Sequence, residues 1–142
     1  MADISTVETL RSLAHGVKKQ LAIQLEAEDL GLVPMQVRVM KTIDKCSPCT
    51  ALDVANFLQR DKAQITRLVN GLLEQGLIEK VPNPQDKRSQ FLLLSKEGGK
   101  IQQSLAKITK RAEKSMIAGI ADEEMQSFLV IAQKMLKNVE NK

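Results

Sequence analysis

Residues 76–95 read GLIEKVPNPQDKRSQFLLLS, and this stretch decides the fold. Two short apolar runs, Leu77–Val81 and Gln90–Leu94, flank a polar segment that holds two prolines, an aspartate and two adjacent basic residues. Short apolar runs separated by Pro, Asn and charged residues are typical of two paired strands and the turn between them. The stretch therefore predicts a β-hairpin with a charged tip.

Two short helices are predicted directly before this hairpin. Thr50 and Asp61 are placed to cap them, and Gly76 ends the second. The apolar residues on their core-facing sides are Ala51, Val54, Ala55 and Leu58 in the first helix and Ile65, Leu68, Val69 and Leu72 in the second. Two short helices joined by a tight turn form a helix-turn-helix, and a hairpin that follows at once makes it a winged helix.

Two more helices are expected at the N-terminal side. Ser5 and Glu8 have the spacing of a capping box, and the apolar stripe that follows stops at Gly31. Pro34 sits where the next helix would begin. The stripe of the first helix is Ile4, Val7, Leu10, Ala14, Val17, Leu21 and Leu25, and the buried face of the second is Met35, Val39, Met40 and Ile43.

Two long amphipathic helices are also expected after the hairpin. The first follows Ser95, and Asp122 is placed to cap the last. Their apolar residues are Ile101, Leu105, Ile108, Ala112 and Met116 in the first helix and Met125, Phe128, Leu129, Ala132, Met135, Leu136 and Val139 in the second. The expected fold class is mainly α with a small β-hairpin wing, organised as one domain over residues 1–142.

Composition narrows the class of protein. The 142 residues include 43% hydrophobic and 27% charged residues, which is typical of a globular chain. The net charge of +4 suits a polyanionic partner. No apolar run approaches bilayer length, so we expect no membrane association and a cytoplasmic protein. A single His and no Gly-rich phosphate loop leave no nucleophile and base to propose, so we expect no enzyme, no cofactor and no metal site.

The chain resembles, over essentially its whole length, the multiple-antibiotic-resistance regulator (MarR) family of bacterial winged-helix repressors. The resemblance is carried by Gly76–Lys80, by Asp86-Lys87-Arg88-Ser89 in the wing and by Leu94-Ser95 followed by Gly98. It implies a homodimer that binds double-stranded DNA at a pseudo-palindromic operator, as a repressor that a small-molecule effector releases. It also implies dimerisation helices at 1–30 and 96–142, a DNA-binding lobe at 34–95, and an effector pocket between them.

Nine residues are expected to contact DNA. If the apolar side of the second short helix faces the core, then Ala63, Arg67 and Asn70 point outward, with Gln64 and Thr66 beside them. Arg, Gln, Asn and Thr suit base edges, although a solvated polar face is the alternative interpretation. Arg88 is expected in the minor groove, and the resemblance implies that Asp86 orients it. The full set is Lys62, Ala63, Gln64, Thr66, Arg67, Asn70, Asp86, Lys87 and Arg88.

Three alternatives stay open at this stage. Cys46 and Cys49 form a Cys-x-x-Cys spacing before a helix N-terminus, which lowers thiol pKa values and would suit a redox-sensing regulator of the same fold. A turn with two partly buried thiols is the plainer interpretation. His15 is expected to be a partly buried structural residue, with effector contact as the alternative. A winged-helix protein-interaction module without DNA binding is the third.

Overall fold

The computed structural model describes residues 5–140, and their order is four helices, a hairpin and two further helices. The helices are α1 (Thr6–Ala27), α2 (Pro34–Cys46), α3 (Ala51–Leu58), α4 (Lys62–Glu74), α5 (Lys96–Met116) and α6 (Asp122–Glu140), and the strands are β1 (Ile78–Pro82) and β2 (Gln90–Leu94). The expected fold class is confirmed. None of the helices in this part of the chain combines the length and apolar character that a bilayer crossing requires.

The start of α1 differs from the expected capping box. Ser5 occupies the N-cap position, but its side chain makes no capping hydrogen bond, so this prediction is wrong. Glu8 instead lies 3.7 Å from Arg11, one helical turn further on. The Thr9 hydroxyl donates to the Ser5 carbonyl at 2.9 Å. Ile4, the first member of the predicted apolar stripe, lies outside the described residues.

The connection between α1 and α2 begins earlier than the apolar stripe suggests. α1 ends at Ala27, before the predicted stop at Gly31, which has a positive φ of 68°. Pro34 then opens α2 as predicted. The side chain of Gln36 accepts a hydrogen bond from the Val33 N–H at 3.1 Å, so one of the first amide groups of this helix end is satisfied.

The helix-turn-helix is confirmed, with one correction at its second helix. Thr50 accepts a hydrogen bond from the Asp53 N–H at 3.1 Å, and Asp53 accepts one from the Thr50 N–H at 2.9 Å, which completes a capping box for α3. Gln59 ends α3 in the left-handed region. Asp61 stands at the N-cap of α4, but its exposed side chain makes no capping hydrogen bond, so that expectation is wrong.

The hairpin is confirmed within one residue. β1 and β2 pair antiparallel from Ile78 opposite Leu94 to Pro82 opposite Gln90. Cys49 adds a short bridge on the far side of β2, because its carbonyl accepts the Leu92 N–H at 2.8 Å. The wing is thereby hydrogen-bonded to the segment that leads into α3.

Helices α2, α3 and α4 pack on one another and on the hairpin around an aliphatic core. The largest fully buried side chains are Val39, Met40, Ile43, Val54, Ile65, Leu72, Leu92 and Leu105. Predicted core residues of α2, α3 and α4 that are only half-buried are Met35, Ala51 and Leu68. Burial of the remaining set on one side of each helix fixes which polar side chains face solvent.

The start of α5 is fastened to the hairpin. The Ser95 hydroxyl accepts the Gly98 N–H at 2.9 Å, so Ser95 caps α5 as predicted. The same hydroxyl donates to the Gly76 carbonyl at 2.6 Å. Gly98 approaches Leu77 so closely that a Cβ at this position would overlap the Leu77 carbonyl group. A glycine is therefore required here for the close approach of two backbone segments.

The chain divides into two compact units, one up to Thr109 and one from Lys110 onward. In the second unit, α6 begins at Asp122, so this residue is the first of the helix and not its cap. Glu124 accepts the Ala121 N–H at 3.3 Å instead. The apolar side chains of α6 that are exposed in the chain are Phe128, Leu129, Val130, Ile131, Met135, Leu136 and Val139.

Candidate nucleic-acid interface

A cleft of about 580 Å³ lies between the start of α3, the side of α4 and the hairpin. Six of the nine predicted DNA-contact residues line it, and these are Lys62, Thr66, Asn70, Asp86, Lys87 and Arg88. The other lining residues are Thr50, Ala51, Leu52, Val69, Lys80, Ser89, Gln90 and Leu92. The fold thus brings these six helix and wing residues to one concave surface.

The cleft carries more positive than negative charge. Its cations come from three elements: Lys62 begins α4, Lys80 lies on β1, and Lys87 and Arg88 form the tip of the hairpin. Asp86 is the one carboxylate among the described lining residues. Cations that converge from separate elements on an open concave surface give the electrostatic complement of a phosphate backbone.

Asp86 acts on the wing through the backbone. Its carboxylate accepts the Arg88 N–H at 2.9 Å and the Ser89 hydroxyl at 3.3 Å, which folds the tip into a turn closed by its own side chain. Within residues 5–140, Asp86 makes no ion pair with the Arg88 guanidinium, which is left to face solvent. Asn83 supports the preceding turn by accepting the Gln85 N–H at 3.0 Å.

The outward face of α4 is divided between the cleft and open solvent. Thr66 and Asn70 line the cleft, whereas Ala63 and Arg67 are exposed but lie outside its lining. A helix advances about 100° per residue, so Arg67 points about a quarter turn away from Thr66. Gln64 is half-buried and is the least accessible of the predicted base-reading residues.

Sequence reasoning missed several residues of the cleft, of which Thr50, Lys80 and Gln90 are the polar ones most able to bind phosphate. Thr50 had a signal, because its capping role places it at the exposed start of α3. The sequence held no such signal for Lys80, since the direction of its side chain depends on how the hairpin pairs and twists against α4. In the structure, Lys80 lies opposite the buried Leu92.

The two cysteines differ in environment. Cys46 is exposed, whereas Cys49 is buried at 2% relative exposure. Burial, followed by the neighbouring Cys46 and Asp53, raises the pKa of the Cys49 thiol to about 11. The lowered thiol pKa on which the redox-sensing alternative depends is therefore wrong for Cys49, because removal from water disfavours the thiolate. Among residues 5–140, no three His, Cys, Asp or Glu side chains are arranged to hold a metal.

His15 does not line the small cavity between α1, α2 and α5. His15 is exposed on α1 of the isolated chain, so its expected partial burial is wrong there. A cavity lies where α1, α2 and α5 meet, but it holds only about 10 Å³ and has an almost entirely apolar lining. That volume is close to the space of one water molecule. His15 is not part of the lining, which consists of Leu21, Leu25, Pro34, Val37, Leu105, Ile108 and Thr109.

Known proteins resemble the chain in sequence and in fold. The multiple antibiotic resistance protein MarR of Salmonella typhimurium is 32% identical over 85 residues, which span 59% of this chain and 58% of that protein. A MarR protein from Peptoclostridium difficile superposes with a TM-score of 0.89 at 23% identity, over 99% of this chain and 91% of its own. MepR of S. aureus, solved as a DNA complex, gives a TM-score of 0.85 at 22% identity, covering 96% and 99%.

A helix-turn-helix followed by a charged hairpin, with one cationic cleft between them, defines a winged-helix protein. Residues 32–90, which contain the helix-turn-helix, β1 and the wing tip, match the model of the MarR family. The winged-helix region is thus a MarR-family domain, and the chain is similar there to a MarR protein of multiple antibiotic resistance.

Proposed function

We propose that the chain is a sequence-specific DNA-binding repressor that acts by binding and catalyses no reaction. The observation that carries this proposal is the cleft between α4 and the hairpin, where Lys62, Lys80, Lys87 and Arg88 converge with only Asp86 to oppose them. The similarity to MepR, which was solved as a DNA complex, supports the same function.

Two kinds of DNA contact follow from the shape of the site. α4 enters the major groove, where Arg67 pairs with guanine and Asn70 with adenine. The hairpin follows the adjacent minor groove, which attracts the Arg88 guanidinium through its negative potential. Lys62, Lys80 and Lys87 neutralise phosphates and set the orientation of the lobe without reading sequence.

The functional unit is proposed to be a homodimer. A single lobe buries too little surface to be both tight and specific, whereas two lobes double the contacts. The first half of α1 and most of α6 expose apolar side chains, and Val7, Leu10, Phe128 and Leu129 are each at least 40% exposed. A second copy of the chain would cover these faces. The operator is then a pseudo-palindrome with half-sites about one helical turn apart, and repression is released by a small-molecule effector.

Selection of bound sequences from a random duplex pool tests the proposal directly. The expected result is a two-fold symmetric site bound with an affinity that falls steeply as salt concentration rises. Lys80→Ala should weaken binding to all sequences alike and lower the salt slope by about 1. Lys19→Ala, which removes an exposed lysine of α1 outside the cleft, is the matched control and should change neither the DNA affinity nor the salt slope. A wild-type protein without salt-sensitive duplex binding would overturn the proposal.

A further inference from the structure

A second concavity, separate from the DNA cleft, lies between the C-terminal half of α2 and the end of α3. It encloses about 310 Å³ and shares no lining residue with the cleft. We call it the α2–α3 groove. Its lining is Arg38, Lys41, Thr42, Lys45, Cys46, Phe57 and Leu58.

The α2–α3 groove combines an aromatic surface with a positive rim. Phe57 is 66% exposed, which leaves most of its ring available for contact. Arg38, Lys41 and Lys45 follow one another at helical spacing on one side of α2, so their charged ends surround the same opening. Among the described lining residues there is no carboxylate, so nothing within the groove neutralises these three cations.

The hydrogen-bonding groups of the groove favour an anion over a neutral polar ligand. The Thr42 hydroxyl already donates to the Arg38 carbonyl at 2.8 Å, inside α2. The donors left for a ligand are the ammonium and guanidinium groups of the rim, and these bind carboxylates with charge-assisted hydrogen bonds. Phe57 and Leu58 favour an apolar body, which the exposed ring can stack on or pack against.

We propose that the α2–α3 groove binds a small amphipathic carboxylate, with its apolar body on Phe57 and its anionic group between Lys41 and Lys45. A volume of about 310 Å³ lies at the lower end of the range of small-molecule sites. A DNA phosphate would use the cations but leave the ring uncovered. A folded protein partner would need a much larger complementary surface than this groove supplies.

Naphthalene-1-carboxylate is a direct probe of this site. The chain has no Trp and no Tyr, so the fluorescence of the probe can be followed without protein background. We expect saturable binding of one molecule per chain, weakened by salt. Naphthalene-1-methanol, which has the same ring system without the charge, should bind at least severalfold more weakly. The titration contains no DNA, so its outcome is independent of the proposed repressor function.

Two sets of variants separate the contributions of ring and charge. Phe57→Ala should weaken binding of the carboxylate by roughly tenfold or more, and Phe57→Leu should lie between it and wild type. Lys41→Gln combined with Lys45→Gln should lower the affinity for the carboxylate roughly three- to tenfold and leave the affinity for the neutral alcohol unchanged. Lys18→Gln combined with Lys19→Gln removes the same charge from exposed positions of α1 and should have no effect.

Cys46 gives an independent readout of position, because its exposed thiol lines the groove while Cys49 is buried. Bound carboxylate should slow maleimide labelling of Cys46 in wild type but not in Phe57→Ala. The proposal is overturned if the probe does not bind, if it binds all variants equally, or if the alcohol binds as well as the carboxylate. Binding of an acidic amphipathic peptide but not of the probe would overturn it in favour of a protein partner.

Discussion

The Asp86 carboxylate accepts the backbone N–H of Arg88 at 2.9 Å, so it holds the wing tip in shape without neutralising the Arg88 side chain. A carboxylate beside DNA lowers affinity because it repels the phosphates, whereas an ordered wing tip raises affinity. The hydrogen bond explains why an acidic residue is compatible with this position. The guanidinium stays available while the turn that carries it is fixed.

Substitution of Asp86 distinguishes a backbone brace from a side-chain ion pair. Asp86→Asn keeps an oxygen that accepts the Arg88 N–H and removes the negative charge, so operator affinity should be retained or increased. Asp86→Ala removes the acceptor. Loss of this hydrogen bond should destabilise the ordered wing by about 1 kcal/mol, which corresponds to a roughly fivefold loss of operator affinity. Fluorescence anisotropy with a labelled operator measures both. Equal losses in the two variants would show that the charge of Asp86 matters and the backbone contact does not.

Arg67 and Arg88 should differ in the kind of DNA contact they make. Arg67→Ala should cost roughly 1–3 kcal/mol on the selected operator and relax base preference at one position of each half-site. Arg88→Ala should weaken binding broadly and keep most of the sequence preference, since minor-groove shape is what it reads. Affinities for the operator and its single-base variants, at one salt concentration, provide the comparison. The opposite pattern would mean that helix and wing have been assigned to the wrong grooves.

Gly98 should be essential for stability through the close approach to Leu77. Gly98→Ala places a Cβ against a backbone carbonyl that cannot move without disturbing the hairpin, and it should cost roughly 1–3 kcal/mol of unfolding free energy. Gly99→Ala is the matched control, because a Cβ there meets nothing within 4 Å; it should change stability by less than about 1 kcal/mol. Urea unfolding followed by circular dichroism measures both, and equal stabilities would contradict the crowding at Gly98.

Cys49 should make stability fall in alkaline solution. Its folded pKa of about 11 lies above its ordinary value of 9.0, so between these pH values the unfolded thiol loses its proton while the folded one keeps it. The contribution of the buried, protonated thiol to the free energy of unfolding is complete below about pH 9 and is lost as the pH rises from about 9 to about 11. Cys49→Ala should flatten this part of the pH dependence, and Cys46→Ser should not. An unchanged slope in Cys49→Ala would contradict the burial effect.

The same burial predicts that DNA binding is insensitive to mild oxidation. Exchange of both cysteines for Ser should leave the response of operator binding to peroxide unchanged, because the Cys49 thiol is buried and the exposed Cys46 does not line the DNA cleft. Wild type and the double variant are compared by anisotropy before and after peroxide treatment. Release of DNA by wild type alone would establish the redox-sensing alternative.

The exposed apolar face of α6 should be required for self-association. Phe128→Lys combined with Met135→Lys introduces two charges on this face, where the parent side chains are 42% and 38% exposed, and should shift the protein from dimer to monomer in sedimentation velocity. Ser127→Lys, on another side of the same helix, is the control. A double variant that sediments like wild type would exclude this face from the dimer.

The sequence predicted local features well where neighbouring residues alone determine them. Thr50 and Asp53 form their capping box because both partners lie within one turn. Ser5 and Asp61 are also residue types that favour the N-cap position, but their side chains make no such bond, and at Ser5 the expected partner Glu8 lies toward Arg11 instead. Residue type favours a cap, whereas the final rotamer depends on competing neighbours, which pattern alone does not include.

The site was predictable in outline and not in detail. Six of nine expected residues meet in the cleft because helical periodicity and the position of the hairpin tip determine them. Lys80 and Gln90 were missed because a strand residue is assigned to a face only when register and twist are known. His15 was assigned partial burial from its apolar neighbours, but those neighbours lie on a part of α1 that the chain itself leaves uncovered.

The hydrogen bond from the Leu92 N–H to the Cys49 carbonyl has a consequence for how the lobe opens. It ties the root of the wing to the entry of α3, so the two cannot separate without breaking a buried contact at both. Opening of the wing and loss of the helix-turn-helix should then occur as one cooperative unit, with similar amide exchange rates for Leu92 and the core of α4. A partly denatured protein should therefore release bound DNA outright, and should not persist in a state with a loosened wing and altered sequence preference.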